Sequence, residues 1–245
     1  MKTQVNLKKL IKVFDEHNEI YKGHTTSIIG LIGEDLNAAI FADYLVRRKK
    51  LKNVEVLPYR VKIEQKHVRG RELDRWIKAD NTLYQTEIKN WCCFKIAGYK
   101  LLLKAKTEDV RELTKNLWKR ELKDQYKDKN SIKNLTGVSK VLIKMKIPDE
   151  IKGYKKAEPL VIHWMPISNN SADPLFSLKI QNLRMGKRLT KQIRENFKKI
   201  NYFSCSLYVR ELVNKSQTKL DPKLDLDLPN IKARMNIIKQ LINLT

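Results

Sequence analysis

The hydrophobic positions fall into segments of differing period, and the period predicts the element. Residues 5–22 mix apolar and charged positions and predict a helix or an irregular arm. From Ser27 to Leu51 the spacing is helical: Leu36, Ala39, Ile40, Phe41, Tyr44 and Leu45 share a face, and Arg47-Arg48-Lys49-Lys50 suits a helix C-terminus. Val54 to Tyr59 predicts a short strand, and a basic, polar run follows to Arg71, with a bend at Gly70. The clearest local signal comes next. Leu73 to Ala79 is strand-like, Asp80-Asn81 is turn-like, and Thr82 to Trp91 is rich in β-branched and aromatic residues, so the three predict a hairpin.

Beyond the hairpin, Val110, Leu113, Leu117, Trp118 and Leu122 predict a long charged helix from Thr107 to about Lys129. Strands are predicted at Val138–Ile147, Leu160–Met165 and Phe176–Ile180, the first two ended by Pro148 and Pro166. Arg188–Ile200 predicts a basic helix. Tyr202–Val213 fits strand or helix equally, Gln217–Asp227 a surface loop, and Asn230–Leu244 a last helix opened by Asp227 and Pro229. The expected fold is α/β, a mixed central sheet flanked by helices. No linker or internal repeat is visible, so one domain is expected over residues 1–245, with a core about 27–180 and a helical C-terminal extension about 181–245.

Composition narrows the class. In 245 residues, 42% are hydrophobic, enough for a substantial core. No apolar run reaches the roughly 20 residues needed to span a bilayer, and no signal-peptide block stands at the N-terminus. Three cysteines, Cys92, Cys93 and Cys205, give neither a disulfide framework nor a metal-ligand spacing, and read as reduced thiols of a cytoplasmic protein. The four histidines likewise show no ligand spacing. The net charge is +24. Such a chain repels itself, and a polyanion relieves the repulsion, so nucleic acid is the expected partner. A lysine-rich proteome is the plainer explanation. A membrane surface fits less well, because no basic amphipathic helix carries apolar anchors.

The hairpin concentrates chemistry. With a two-residue turn at Asp80-Asn81, Ala79 pairs with Thr82 and Asp74 falls opposite Glu87. Opposed side chains share a face with Cβ atoms roughly 4.5–5.5 Å apart. Lys89 shares that face, two residues on, and Glu72 falls opposite it. Facing carboxylates repel unless a cation lies between them, and Mg²⁺ takes oxygen ligands while keeping several waters. Acid-x-Lys is a common pattern, recurring at Glu64–Lys66, Glu121–Lys123, Glu150–Lys152 and Asp221–Lys223. Only Glu87–Lys89 lies inside an apolar strand with a facing acid one turn earlier. A surface salt bridge of Lys89 with Glu72 or Asp74 is the competing explanation.

The ordered set of a helix acid (Glu34, in Ile32-Gly33-Glu34-Asp35), a strand acid (Asp74) and Glu87-Ile88-Lys89 resembles the PD-(D/E)xK nuclease superfamily, the restriction-endonuclease-like fold. The resemblance covers about residues 27–91. It departs from the motif where Leu73 stands in place of the proline, and it matches no subfamily beyond Trp91. It implies that Asp74 and Glu87, with the backbone carbonyl of Ile88, hold Mg²⁺ or Mn²⁺. It also implies that Lys89 assists the attacking water, and that Glu34 takes a second metal or its water. Glu34 has a simpler explanation as well, an acid favoured by the helix dipole.

Arg69 and Arg71 lead into the Asp74 strand, while Lys95 and Lys100 follow the hairpin. All four could line a cleft and hold a phosphate backbone, or be solvated charge. Gln85 shares the Glu87 face and either meets water or phosphate or is simply exposed. Lys187, Arg188, Lys191, Arg194, Lys198 and Lys199 would form a basic helical face. Trp76 and Trp91 read as core. The expected activity is Mg²⁺-dependent hydrolysis of phosphodiester bonds, in DNA before RNA, with a homodimer left open. The rival is a nucleic-acid-binding protein without catalysis.

Overall fold

Asp80 turns the predicted hairpin with its backbone in the left-handed region, φ 47°, which a short polar side chain tolerates. Its carboxylate accepts from the backbone N–H groups of Asn53 at 2.7 Å and Lys52 at 3.2 Å, fastening the turn to the preceding loop. The computed structural model describes residues 2–16, 24–58, 61–62, 72–90, 100–118, 125–127, 129–169, 173–216, 222–233 and 236. Their strands are β1 (Thr3–Asn6), β2 (Val54–Val56), β3 (Val61–Lys62), β4 (Glu72–Leu73), β5 (Arg75–Ala79), β6 (Thr82–Lys89), β7 (Glu158–His163), β8 (Leu175–Lys179), β9 (Lys199–Ser204) and β10 (Lys223–Leu226). The α-helices are α1 (Leu7–Ile11), α2 (His24–Arg47), α3 (Thr107–Leu117), α4 (Lys187–Asn196) and α5 (Cys205–Lys215).

Six strands form a mixed sheet in the order β2-β5-β6-β7-β9-β8. The β2, β5 and β6 pairings are antiparallel, β6, β7 and β9 run parallel, and β8 pairs antiparallel with β9. Alternation along the strands splits the apolar side chains between two faces. On one face Ile77, Ile88, Leu160, Ile162 and Phe203 pack under α2 and α5, meeting Leu36, Ile40, Phe41, Tyr44 and Tyr208. On the other, Trp76, Val161, Phe176 and Tyr202 pack against Leu113 and Leu117 of α3, Leu189 and Ile193 of α4, and Val138, Val141 and Leu142. Full burial of such side chains stabilises by roughly 1.5–3 kcal/mol each.

Several expectations change. Val138–Ile147 is not a strand: Gly137–Leu142 is a 3-10 helix, and the chain beyond it is irregular. Gly137 takes φ +56°, and Thr136 and Ser139 close a capping box, so Val138, Val141 and Leu142 are buried by helical spacing. The basic helix stops at Asn196, because Ile200, Tyr202 and Phe203 are recruited into β9. The run from Tyr202 to Val213 is both elements in turn. Ser204 ends β9 and caps α5, its hydroxyl accepting from the backbone N–H of Leu207 at 3.3 Å. β9 is interior to the sheet, so the segment after residue 180 completes the core and is not a helical appendage. The expected surface loop contains β10, which pairs antiparallel with β1. Among the described residues no helix is long and apolar enough to cross a membrane.

Candidate active site

The β5–β6 register runs from Ala79↔Thr82 to Arg75↔Thr86, as the turn chemistry predicts. One residue earlier the strand bends. Asp74 keeps a backbone bond, its N–H donating to the Thr86 carbonyl at 3.0 Å. Its carboxylate reaches along β6 and accepts from the backbone N–H of Ile88 at 2.7 Å. Asp74 is thereby fixed beside the segment that carries Glu87 and Lys89.

Glu87 is wholly buried. Its Oε1 accepts a hydrogen bond from the Lys89 ammonium at 2.5 Å. Its Oε2 lies 2.9 Å from the ammonium of Lys140, in the 3-10 helix, yet among the described residues it receives no hydrogen bond of good geometry. Burial lifts the Glu87 carboxyl to about 7, the Asp74 charge adds to the rise, and the two lysines oppose it. Both lysine side chains are 20% exposed, so the site reaches solvent along them.

His163 is the register partner of Lys89 on the neighbouring parallel strand. The imidazole is buried, and among the described residues neither ring nitrogen has a hydrogen-bond partner. Burial, then the Lys89 charge, holds it down at about 3, so it is neutral at physiological pH. An imidazole within an apolar strand gave no sequence signal for this position. Lys140 was equally invisible, since a residue in an expected strand carries no sign of the turn that aims it.

The α2 face of the sheet contributes differently. Gly33 lies against Asn90, and a Cβ there would meet the Asn90 side chain at 2.6 Å. Asn37 donates to Asn90 Oδ1 at 2.5 Å. Asp35 accepts from the Arg75 guanidinium at 2.6 Å, and Arg75 also donates to the Asp74 carbonyl at 2.6 Å. This chain, Asp35–Arg75–Asp74, buried at its first two members, ties α2 to the site strand. The sequence pointed instead to the neighbouring Glu34, as an acid for a second metal or its water. Glu34 is half-buried on α2, and among the described residues no three His, Cys, Asp or Glu side chains gather as a metal cage.

Gln85 does not face nucleic acid. It is buried, its amide donating to the carbonyls of Val141 at 2.6 Å and Ile143 at 2.8 Å, and its Oε1 accepting from the Met145 N–H at 3.4 Å. It therefore holds the turn that presents Lys140. Ile88 buries its side chain against α2, and only its backbone faces the acids. Lys100 is exposed. Arg69, Arg71, Lys95 and Trp91 lie outside the described residues. Trp76 is core, as expected. Lys187, Arg188, Lys191 and Arg194 are exposed on α4.

A hard divalent cation here would be held through few protein oxygens, those of Asp74 and Glu87. Glu87 Oε2 is a buried carboxylate oxygen without a hydrogen bond, and Asp74 is near enough to raise the Glu87 carboxyl. Mg²⁺ commonly takes only one or two carboxylates and completes its shell with water. No protein-family model, curated protein or solved structure matches this chain.

Proposed function

We propose that this protein is a Mg²⁺-dependent nuclease hydrolysing phosphodiester bonds, most readily in DNA, on a restriction-endonuclease-like core of the PD-(D/E)xK type. The observation that carries the reading is the convergence of Asp74, buried Glu87 and Lys89 on one hairpin, with Lys89 hydrogen-bonded to Glu87. A structural salt bridge gains little from a buried carboxylate whose ionisation is disfavoured, whereas sites that manage charge commonly hold such groups.

Asp74 and Glu87 would hold the metal, and a bound Mg²⁺ supplies Lewis-acid polarisation of the phosphate and a lowered pKa for water. Lys89 donates to the phosphate oxygens and orients the attacking water, its ammonium offsetting charge that develops on phosphorus-bound oxygens. The Asp35–Arg75 pair positions Asp74 from behind. The net charge of +24 and the exposed cations of α4 supply sequence-independent attraction to the nucleic-acid backbone.

The same charge favours the second reading, a nucleic-acid-binding protein without catalysis, in which the lysines simply neutralise the acids. Plasmid, linear duplex and single-stranded DNA incubated with the protein in Mg²⁺ and in EDTA separate the two. Cleavage abolished by EDTA supports the nuclease. Steeply salt-dependent binding, unaffected by Mg²⁺ and without cleavage, supports the binding protein.

A further inference from the structure

The nuclease reading needs one lysine beside Glu87, and the described residues place two there. Lys140 approaches from a different element, the 3-10 helix Gly137–Leu142, and places its ammonium 2.9 Å from Glu87 Oε2 and 2.6 Å from the Glu72 carbonyl oxygen. The two lysines engage Glu87 unequally. Lys89 makes a hydrogen bond to Oε1, whereas Lys140 offers Oε2 charge without a directed bond. Gln85 and Ser139 fasten the turn beneath it, Ser139 through bonds with Thr136.

Charge explains the arrangement. When Glu87 is ionised, the two carboxylates of Asp74 and Glu87 are matched in number by the ammonium groups of Lys89 and Lys140. In the metal-free protein the buried carboxylate is therefore compensated, which avoids the large penalty of an isolated buried charge. A divalent cation at Oε2 repeats that compensation and makes the second ammonium surplus there. A lysine is a compact charge on a flexible stem, suited to changing partners, and this one is already part-exposed.

We propose that Lys140 is a phosphate-binding residue that shields Glu87 Oε2 in the metal-free protein and passes to a backbone phosphodiester of the substrate when a divalent cation takes that oxygen. The proposal rests on the nuclease reading. It makes Lys140 a competitor of the metal and an ally of the substrate, two effects of opposite sign that a merely structural counter-ion would not produce.

The test titrates Mn²⁺, read by water-proton relaxation, into wild type, Lys140→Gln, Lys140→Met, Lys140→Arg and Glu87→Gln without nucleic acid. In parallel, Mg²⁺-dependent cleavage of a short duplex is followed at rising DNA concentration. The two neutral variants are expected to bind Mn²⁺ about tenfold more tightly and to need about tenfold more DNA for half-maximal rate, a modest effect for one unit charge at this distance. Lys140→Arg restores wild-type values, and Glu87→Gln loses the Mn²⁺ site. Unchanged or weaker Mn²⁺ binding in either folded neutral variant overturns the proposal, as does an unchanged DNA requirement. Wild-type cleavage then leaves the nuclease reading standing. A wild type that neither binds Mn²⁺ nor cleaves overturns both.

Discussion

Asp74 is bonded to the backbone of Ile88, not to the side chain of the residue opposite it: its carboxylate accepts from the Ile88 N–H at 2.7 Å. The bond holds an acid close enough to buried Glu87 for its charge to raise the Glu87 carboxyl. It also lets the structural role of Asp74 be separated from its proposed chemical one. Asp74→Asn retains an acceptor for the N–H and removes the charge, whereas Asp74→Ala orphans the N–H. The alanine variant is expected to lose roughly 1–3 kcal/mol of stability and the asparagine variant a fraction of that, while both lose cleavage. Urea unfolding beside a plasmid assay checks this. An asparagine variant with near-normal cleavage would remove Asp74 from the site.

His163 makes stability depend on pH. Its imidazole is held at about 3 in the folded protein, against an ordinary value of 6.5. Between these values the unfolded chain binds the proton and the folded chain does not, so stability falls as pH drops from 6.5 toward 3, by up to about 1.4 kcal/mol per pH unit. Glu87, raised from 4.5 to about 7, acts in the opposite sense: its contribution is present below 4.5 and lost as pH rises to 7. The difference between wild type and His163→Phe isolates the histidine. The variant should gain on wild type steadily below pH 6.5 and hold a constant difference above it, as read by denaturant unfolding across pH. A difference independent of pH contradicts the assignment.

The Asp35–Arg75 pair is buried on both sides, at 7% and 5% side-chain exposure. Asp35→Ala leaves a buried guanidinium without its carboxylate and is expected to cost roughly 3–5 kcal/mol. The double variant Asp35→Leu, Arg75→Met should recover most of that stability, yet cleave poorly because Asp74 loses its support. Equal losses in the single and double variants would show that the pair does not act as a unit.

Gln85 fastens the turn that carries Lys140. Gln85→Leu leaves the carbonyls of Val141 and Ile143 without that donor, at roughly 1–3 kcal/mol for each group left unsatisfied. Hydrogen exchange should rise at the backbone N–H groups of the 137–145 segment and stay unchanged in β7 and β9. Uniform acceleration across the sheet would mean that Gln85 supports the whole core instead.

The hairpin was legible because its information is local. Asp80-Asn81 sets the turn, the pleat sets which residues share a face, and β-branched residues set the strand. Those constraints place Asp74, Glu87 and Lys89 together. The α2 periodicity was legible for the same reason. Positions that depend on distant contacts were not. Val138, Val141 and Leu142 satisfy a short helix as well as a buried strand, and Gly137 with the Thr136–Ser139 capping box decides between them. With that turn unread, the reach of Lys140 to Glu87 could not be inferred, and Gln85 passed for a surface polar group. Glu34 and Asp35 are adjacent in sequence, and only the packing of α2 shows that Asp35 faces Arg75. His163 looked like one polar residue in an apolar run until the parallel pairing set it beside Lys89.

The central claim is that Asp74, Glu87 and Lys89 perform metal-dependent hydrolysis. Wild type and Lys89→Ala, each shown folded by thermal melting, should be compared on plasmid and short duplex DNA with Mg²⁺ and with EDTA. Wild-type cleavage that disappears with EDTA and in the variant is the predicted result. Cleavage that persists in Lys89→Ala, or salt-sensitive binding by both proteins with no cleavage under any condition, would contradict it.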